Sequence, residues 1–309
     1  MIGVMHFTKC SRTSTIASAR IASFIERTIS QSFEEPVELI HEAASAHHAA
    51  DKHSILFVVN SPFGFCDWRD RAIRIAENAT SIIWVQNDYA IKPPSQFKKF
   101  GIKIDEWWTT CMDVATGADG RYIDWNMLTY NDRLRQQGTE ASQVIPGLLY
   151  FGAYRQGRQS SFEEYLNTVL YQVRVSTTRK NIEKFMQMNS HKTIKYYEPF
   201  QTLGQLVRFQ TSIYIEDDGS HGQNHSLANR FYEMLSAGVA ICIDEKASSI
   251  FKVYDLPQWQ DFVVSSAHDV RKVVEKNYKE WSTRQAKLWR RDYISELSEN
   301  LILALEEVI

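Results

Sequence analysis

The stretch from Ile213 to Asp244 constrains this chain most. Ile213, Tyr214 and Ile215 form a short apolar run followed by Glu216-Asp217-Asp218-Gly219, the pattern of a buried strand with a loop behind it. From Ser226 onward, Leu227, Phe231, Met234 and Leu235 recur at three- and four-residue spacing, which predicts a helix. Gly238 stands where a C′ glycine would end that helix, and Val239 to Ile243 is a second apolar run. Strand, loop, helix and strand make the repeating unit of a parallel sheet. A helix that opens after a glycine-containing loop turns unpaired N–H groups and its positive dipole end toward a crevice. Such a crevice takes a phosphate or diphosphate. Asn224, Ser226 and Arg230 are its expected ligands. Glu233, one to two turns in, is placed to accept hydroxyl hydrogen bonds from a ribose.

The same alternation runs through the whole chain. Strands are expected at Ile2–Phe7, Pro36–Ile40, Ile55–Asn60 and Ser81–Gln86, with helices at Ile16–Ile29 and Arg69–Asn78. In an open parallel sheet, ligands gather outside the carboxyl ends of strands. Asp67 and Asp88 fall in two such exits, and either carboxylate can take a proton from an acceptor hydroxyl. Lys98, Lys99 and Lys103 stand near Phe100, Trp107 and Trp108, a composition suited to phosphate contact and base stacking. His41, His47, His48 and His53 crowd an alanine-rich stretch without the spacing of a metal set, and a solvated helix is expected there. Glu216-Asp217-Asp218 resembles a metal-binding pair loosely and reads better as a loop opener.

After a boundary near Val144-Ile145-Pro146, strands are expected at Gly147–Gly152, Val173–Ser176 and Thr193–Tyr197. Helices are expected from Ser161 to Leu170 and from Leu203 to Phe209, the latter leading to Ile213. From Val270 the chain reads as largely helical, with Trp281, Leu288, Trp289, Tyr293 and Leu297 as its apolar stripe. The expected organisation is therefore α/β, with two Rossmann-like domains over residues 1–145 and 146–285. A C-terminal helical stretch over 286–309 would cross back to the first.

Asn229-Arg230-Phe231-Tyr232-Glu233 with Ala237-Gly238 resembles the nucleotide-sugar site of GT-B-fold glycosyltransferases. Retaining members carry Glu-x7-Glu here, and Glu233 matches the second Glu, which holds the ribose. The first would fall at 225, where this chain has His225, making it a catalytic candidate. The resemblance implies that Arg155 and Arg158, after the first strand of the second domain, clamp the donor diphosphate in place of a metal. It implies that Thr177, Tyr197, Glu198 and Phe200, at neighbouring strand exits, line the nucleotide subsite. Trp84-Val85-Gln86-Asn87-Asp88-Tyr89 and Tyr150 to Arg158 are also similar, more loosely, to phage-encoded DNA-modifying glycosyltransferases.

What this resemblance implies is transfer of a hexose from a UDP-linked donor, UDP-glucose, to a hydroxyl, with no resident cofactor or metal. The acceptor would be a hydroxymethylated pyrimidine in DNA, a glycan or a protein. A nucleotide-sugar-binding module without activity and a nucleotide-sugar epimerase remain open on the same architecture.

Composition sets the outer bounds. The 309 residues carry a net charge of −2, which gives no global field for nucleic acid or an anionic membrane. Cys10, Cys66, Cys111 and Cys242 are scattered, with no Cys-x-x-Cys, as expected of free thiols in a reducing compartment. No apolar run approaches the ~20 residues of a membrane span. With no leader pattern at the start, a cytoplasmic protein is expected, in a host cell if phage-encoded.

Overall fold

A computed structural model describes residues 1–7, 17–41, 52–60, 68–86, 95–110, 115, 120–129, 144–191, 193–200, 203–216, 227–254, 257–290 and 293–309. The chain divides into two compact units, Met1–Thr129 with Ser295–Ile309, and Tyr130–Ile294.

The first unit holds β1 (Ile2–His6), β2 (Val37–Ile40), β3 (Ile55–Val59), β4 (Ser81–Gln86), β5 (Glu106–Thr109) and β6 (Arg121–Tyr122). They form one sheet in the order β2-β1-β3-β4-β5-β6, with every pairing parallel. All five residues of β1 and of β3 are buried, as strands covered on both faces must be. Helix α1 (Ala17–Ser32) buries Ile21, Ile25 and Ile29, one residue per turn. Helices α2 (Arg69–Asn78) and α3 (Ser95–Lys99) follow β3 and β4.

Two expectations about this unit need correction. His53 is not solvated: its side chain is fully buried, with Nε2 2.9 Å from Glu38 Oε2. Gly3 makes the room, since a Cβ there would come within 2.8 Å of His53 Cδ2. Trp107 and Trp108 are no stacking platform either. Both are buried, with Trp107 stacked on Trp84 at 5.3 Å and Trp108 on Trp125 at 6.1 Å. Alternation along β5 sends them to opposite faces of a sheet whose faces are both covered.

The second unit holds β7 (Ile145–Phe151), β8 (Val173–Ser176), β9 (Lys195–Tyr197), β10 (Phe209–Tyr214), β11 (Ala240–Asp244) and β12 (Val263–Val264). Its sheet runs β12-β11-β10-β7-β8-β9, again all parallel. Counted from its own first strand, this is the 3-2-1-4-5-6 order of a Rossmann sheet. Between them lie α4 (Gln159–Tyr165), α5 (Arg179–Met188), α6 (Leu203–Leu206) and α7 (Asn229–Ser236). A register shift separates Phe209 from Thr211 opposite Pro146-Gly147, and Gly147 has φ +101°. Pro lacks the ladder N–H and Gly accepts the positive φ, so this pair suits a bulge.

Strand β10 begins at Phe209, four residues earlier than Ile213, and α6 ends at Leu206 rather than running to Phe209. The hydroxyl residues Thr211 and Ser212 hide the strand from an apolar count. Ser212 is buried because its Oγ donates to Leu149 O at 2.8 Å. Helix α4 also ends earlier than Leu170, at Tyr165. At the end of α7, Gly238 N–H donates to Leu235 O and Val239 N–H to Met234 O at 3.1 Å each. Gly238 has φ +68°, so the helix closes in a Schellman motif, as its sequence predicts.

The chain ends in α8 (Ala267–Lys272), a π-helical turn, α9 (Tyr278–Arg290) and α10 (Tyr293–Glu306). Leu297, Leu301, Ala304 and Leu305 are buried, and Glu307 pairs with Arg121 at 2.5 Å within the first unit.

Candidate functional site

In the second sheet the strand order reverses between β7 and β10: β8 and β9 build outward on one side of β7, β10 to β12 on the other. The loops leaving these two strands must diverge, which opens a crevice at their carboxyl ends. Chemistry is concentrated there. Glu216, two residues beyond β10, is 3% exposed and its carboxylate is bonded by two guanidiniums. Arg158 Nη2 donates to Oε2, and Arg230 Nη2 donates to Oε1. Arg158 comes from the short turn after β7 and Arg230 from the first turn of α7.

Arg230 is held on several sides. Its Nη2 also donates to Ile215 O at 2.6 Å. Its guanidinium lies 5.8 Å from the Tyr150 ring centroid and 5.6 Å from that of Tyr214, close enough for cation–π attraction. Gly152, with φ +144°, leaves the space: a Cβ there would sit 3.0 Å from Arg230 Nη1. The Tyr214 hydroxyl accepts the Ala228 N–H at 2.9 Å, fixing the chain just ahead of α7. Burial, with Glu216 nearby, holds the Tyr214 phenol well above its ordinary pKa, so it stays protonated. No side chain among the described residues caps α7, whose N-cap residue is Ala228. Glu233 follows Arg230 by three residues on the same helix face and is half-buried.

The exits of β8 and β9 adjoin this crevice through the sheet order. Thr177 is buried, and its Oγ1 has no hydrogen-bond partner among the described residues. The Glu198 carbonyl accepts from Ser176 Oγ at 2.8 Å. Phe200 packs against Phe151 at 6.1 Å and Phe209 at 5.4 Å. Tyr197 meets Phe209 edge-on at 5.8 Å. A groove of about 610 Å³ also runs between α4 and α5, lined by Tyr154, Gln156, Gln159, Glu163 and Lys184 among others. Arg158, Glu216 and Arg230 do not line it.

No protein-family model matches the chain, and no curated protein matches its sequence. Solved structures do. T4 phage BGT, as a point mutant in complex with UDP-glucose, matches with TM-score 0.65 at 14% identity over 100% of this chain and 99% of that one. A DNA-modifying enzyme, β-glucosyltransferase, matches with TM-score 0.66 at 12% identity over 100% and 99%. Anabaena HepE in complex with UDP and glucose matches with TM-score 0.53 at 10% identity over 99% of both chains. The fold is GT-B.

In this GT-B chain the expected site residues divide into three groups. Arg155, Arg158, Thr177, Tyr197, Glu198 and Phe200 stand at or just beyond carboxyl strand ends of the second sheet, and Arg230 and Glu233 lie on α7. Among them Arg155 is exposed, whereas Arg158, expected as an open clamp, is 1% exposed and bonded to Glu216. Asn224, Ser226 and the catalytic candidates Asp67, Asp88 and His225 lie outside the described residues. The acceptor candidates Lys98 and Lys99 end α3 with exposed side chains, and Lys103 pairs with Asp105 at 3.0 Å.

Sequence reasoning missed Glu216, which it read as a loop opener. The signal was available in the topology. Once β7 and β10 are neighbours, an acid just past β10 comes close to the loop after β7, which carries Arg158. The described residues contain no group of three or more His, Cys, Asp or Glu able to hold a metal. No helix among them is long and apolar enough to cross a membrane.

Proposed function

We propose that this protein is a glycosyltransferase that moves a hexose from a UDP-linked donor, UDP-glucose, to a hydroxyl acceptor. The observation that carries this reading is the convergence of Arg230 and Arg158 on Glu216 at the switch point of a Rossmann sheet within a GT-B fold. A guanidinium edge and a helix N-terminus suit a diphosphate, and the carboxylate of Glu233 suits the two hydroxyls of a ribose. The end-to-end likeness to T4 phage BGT, solved with UDP-glucose, supports the same donor.

In the proposed reaction a carboxylate, Asp88 or Asp67, takes the acceptor proton. The acceptor oxygen bonds to the anomeric carbon as the bond to the diphosphate breaks. Arg155 and Arg230 stabilise the charge that develops on the departing nucleotide, the work a metal does elsewhere. His225 takes the place beside the transferred sugar. Neither cofactor nor metal is part of this proposal, although T4 phage BGT has been solved with UDP and Mn2+.

For the acceptor we propose a hydroxymethylated pyrimidine in duplex DNA, met by Lys98, Lys99 and Lys103. The DNA-modifying activity named for one structural neighbour supports this choice. Such chemistry belongs in the cytoplasm, a host's if the chain is phage-encoded, where nucleotide sugars and DNA meet.

The test is incubation with a panel of radiolabelled nucleotide sugars and acceptors, including duplex DNA with and without 5-hydroxymethylpyrimidines. Label transferred from UDP-glucose to hydroxymethylated DNA supports the full proposal. Transfer to a glycan or protein keeps the enzyme and replaces the acceptor. Donor binding without turnover points to a binding module, and sugar conversion without an acceptor points to an epimerase.

A further inference from the structure

The opening of α5 runs against its own electrostatics. The positive end of a helix dipole favours acids, yet the first turn of this ten-residue helix holds no acid and two cations, Arg179 and Lys180. Both side chains are exposed, and neither has an ion-pair partner among the described residues. The N-cap side chain, Thr178, accepts no backbone N–H; its Oγ1 accepts from Asn181 Nδ2 at 2.9 Å instead. Just before it, Thr177 is 3% exposed with an Oγ1 that has no hydrogen-bond partner among the described residues. Its N–H continues the ladder of β8, donating to Tyr197 O at 3.1 Å. Alternation therefore turns Thr177 to the same face as Val173 and Val175, the face on which Phe185 of α5 packs. The hydroxyl lies on the helix's side of the sheet, at the start of that helix.

We propose that the opening of α5 binds a backbone phosphate of the DNA acceptor, with Arg179 and Lys180 as its cationic contacts. This rests on the acceptor reading above and adds a surface on the second unit to the lysines named there. One oxyanion meets all of the local demands: helix N–H groups without a side-chain cap, two cations and a buried hydroxyl that lacks an acceptor. Thr177, expected at the nucleotide, passes to the acceptor's phosphate.

The extent of the charge favours a polyanion over a single diphosphate. Lys184 follows Lys180 by one turn, about 6 Å along the axis, and is exposed with its Nζ 5.7 Å from the Tyr154 ring centroid. The exposed Arg155 stands at the neighbouring strand exit, since Gly152 N–H donates to Ser176 O at 3.0 Å and ties the end of β7 to that of β8. A compact ligand meets one end of such a row, whereas successive backbone phosphates run along it. Contacts of this kind position a duplex without reading its bases. They also supply locally the field that a net charge of −2 does not supply globally.

The experiment is anisotropy titration of a hydroxymethylated DNA duplex with the full chain at several salt concentrations, beside calorimetry with UDP. Arg179→Ala and Lys180→Ala should each weaken the duplex about fivefold and lower the slope of log K against log salt by about 0.9, equally for duplexes of different sequence. The double variant should lower the slope by about 1.8, with UDP affinity within about twofold of the parent. Arg179→Lys/Lys180→Arg, which keeps both charges, should keep the parental slope. Thr177→Val should cost about fivefold at unchanged slope, because a neutral bond releases no counterion. A parental slope in the double alanine variant overturns the site. So does a loss of UDP affinity with duplex binding intact, which would give these cations to the donor. A parent chain that binds no duplex overturns the DNA acceptor itself, and the phosphate site falls with it.

Discussion

The two sheets share a plan and differ in chemistry. Each is six-stranded and parallel, and each reverses its strand order once, between β1 and β3 in the first and between β7 and β10 in the second. At the first reversal the described strand ends carry His6, Phe7 and Asn60, with His6 stacked on His41 at 5.2 Å and Phe7 on Trp68 at 5.4 Å. At the second they carry Glu216, with Arg158 and Arg230 bonded to it. Burial pushes the His6 imidazole down to about 4, helped by His41, so it is neutral at physiological pH. Among the described residues, one switch point therefore offers stacked rings and the other paired charges. Parallel-sheet topology makes the crevice in both cases, and the side chains decide which one suits an anion.

The largest expected effect breaks the charged side of this contrast. Arg230→Ala removes the guanidinium edge and one partner of a buried carboxylate. UDP affinity should fall by about 100-fold, and stability by about 3 kcal/mol, the low end for a broken buried pair because Arg158 remains. Calorimetry and denaturant melts read the two losses. Retained UDP affinity would mean that the second switch point is not the diphosphate site.

The neutral side is tested by pH. The folded-state pKa of His6 lies below its unfolded value, so below about pH 6.5 the unfolded chain binds a proton that the folded chain refuses. Stability from this group is complete above that pH and is lost as pH falls toward 4, by roughly 3 kcal/mol in all. Melts of the parent and of His6→Asn at pH 7 and pH 5 should show the parent losing more. Equal losses would mean that His6 is not held neutral by its surroundings.

A smaller effect sharpens the role of Glu233. Glu233→Gln should weaken UDP about tenfold, the loss of charge assistance to two hydroxyls. The loss should shrink with 2′,3′-dideoxy-UDP, which lacks those hydroxyls, and the cycle isolates the pair from general helix damage. The same penalty for both ligands would remove Glu233 from the ribose. Smallest of all, EDTA should leave transfer unchanged. Full loss, rescued by a divalent cation, would bring Glu216, Asp217 and Asp218 back as metal candidates.

Parts of the second sheet are legible from sequence because β7 and β11 carry continuous apolar runs and Gly238 marks a helix end that only a positive φ allows. What escaped has a common cause. Glu216 looks like the start of a turn because its partners stand 58 and 14 residues away, and no local pattern records them. His53 looks solvated among alanines, yet a glycine in the neighbouring strand gives it a buried seat. Thr211 and Ser212 hide the middle of β10, since a hydroxyl bonded to a neighbouring strand buries as well as a methyl group. In each case a contact distant in sequence overrides the local signal.

The most direct measurement of the central claim is hydrogen–deuterium exchange of the full chain with and without UDP, read peptide by peptide. The account predicts slowed exchange in peptides covering 152–158, 214–216 and 227–233. It predicts none in peptides covering 2–7 and 55–60. Protection at the first switch point, or an unchanged pattern at saturating UDP, would contradict it.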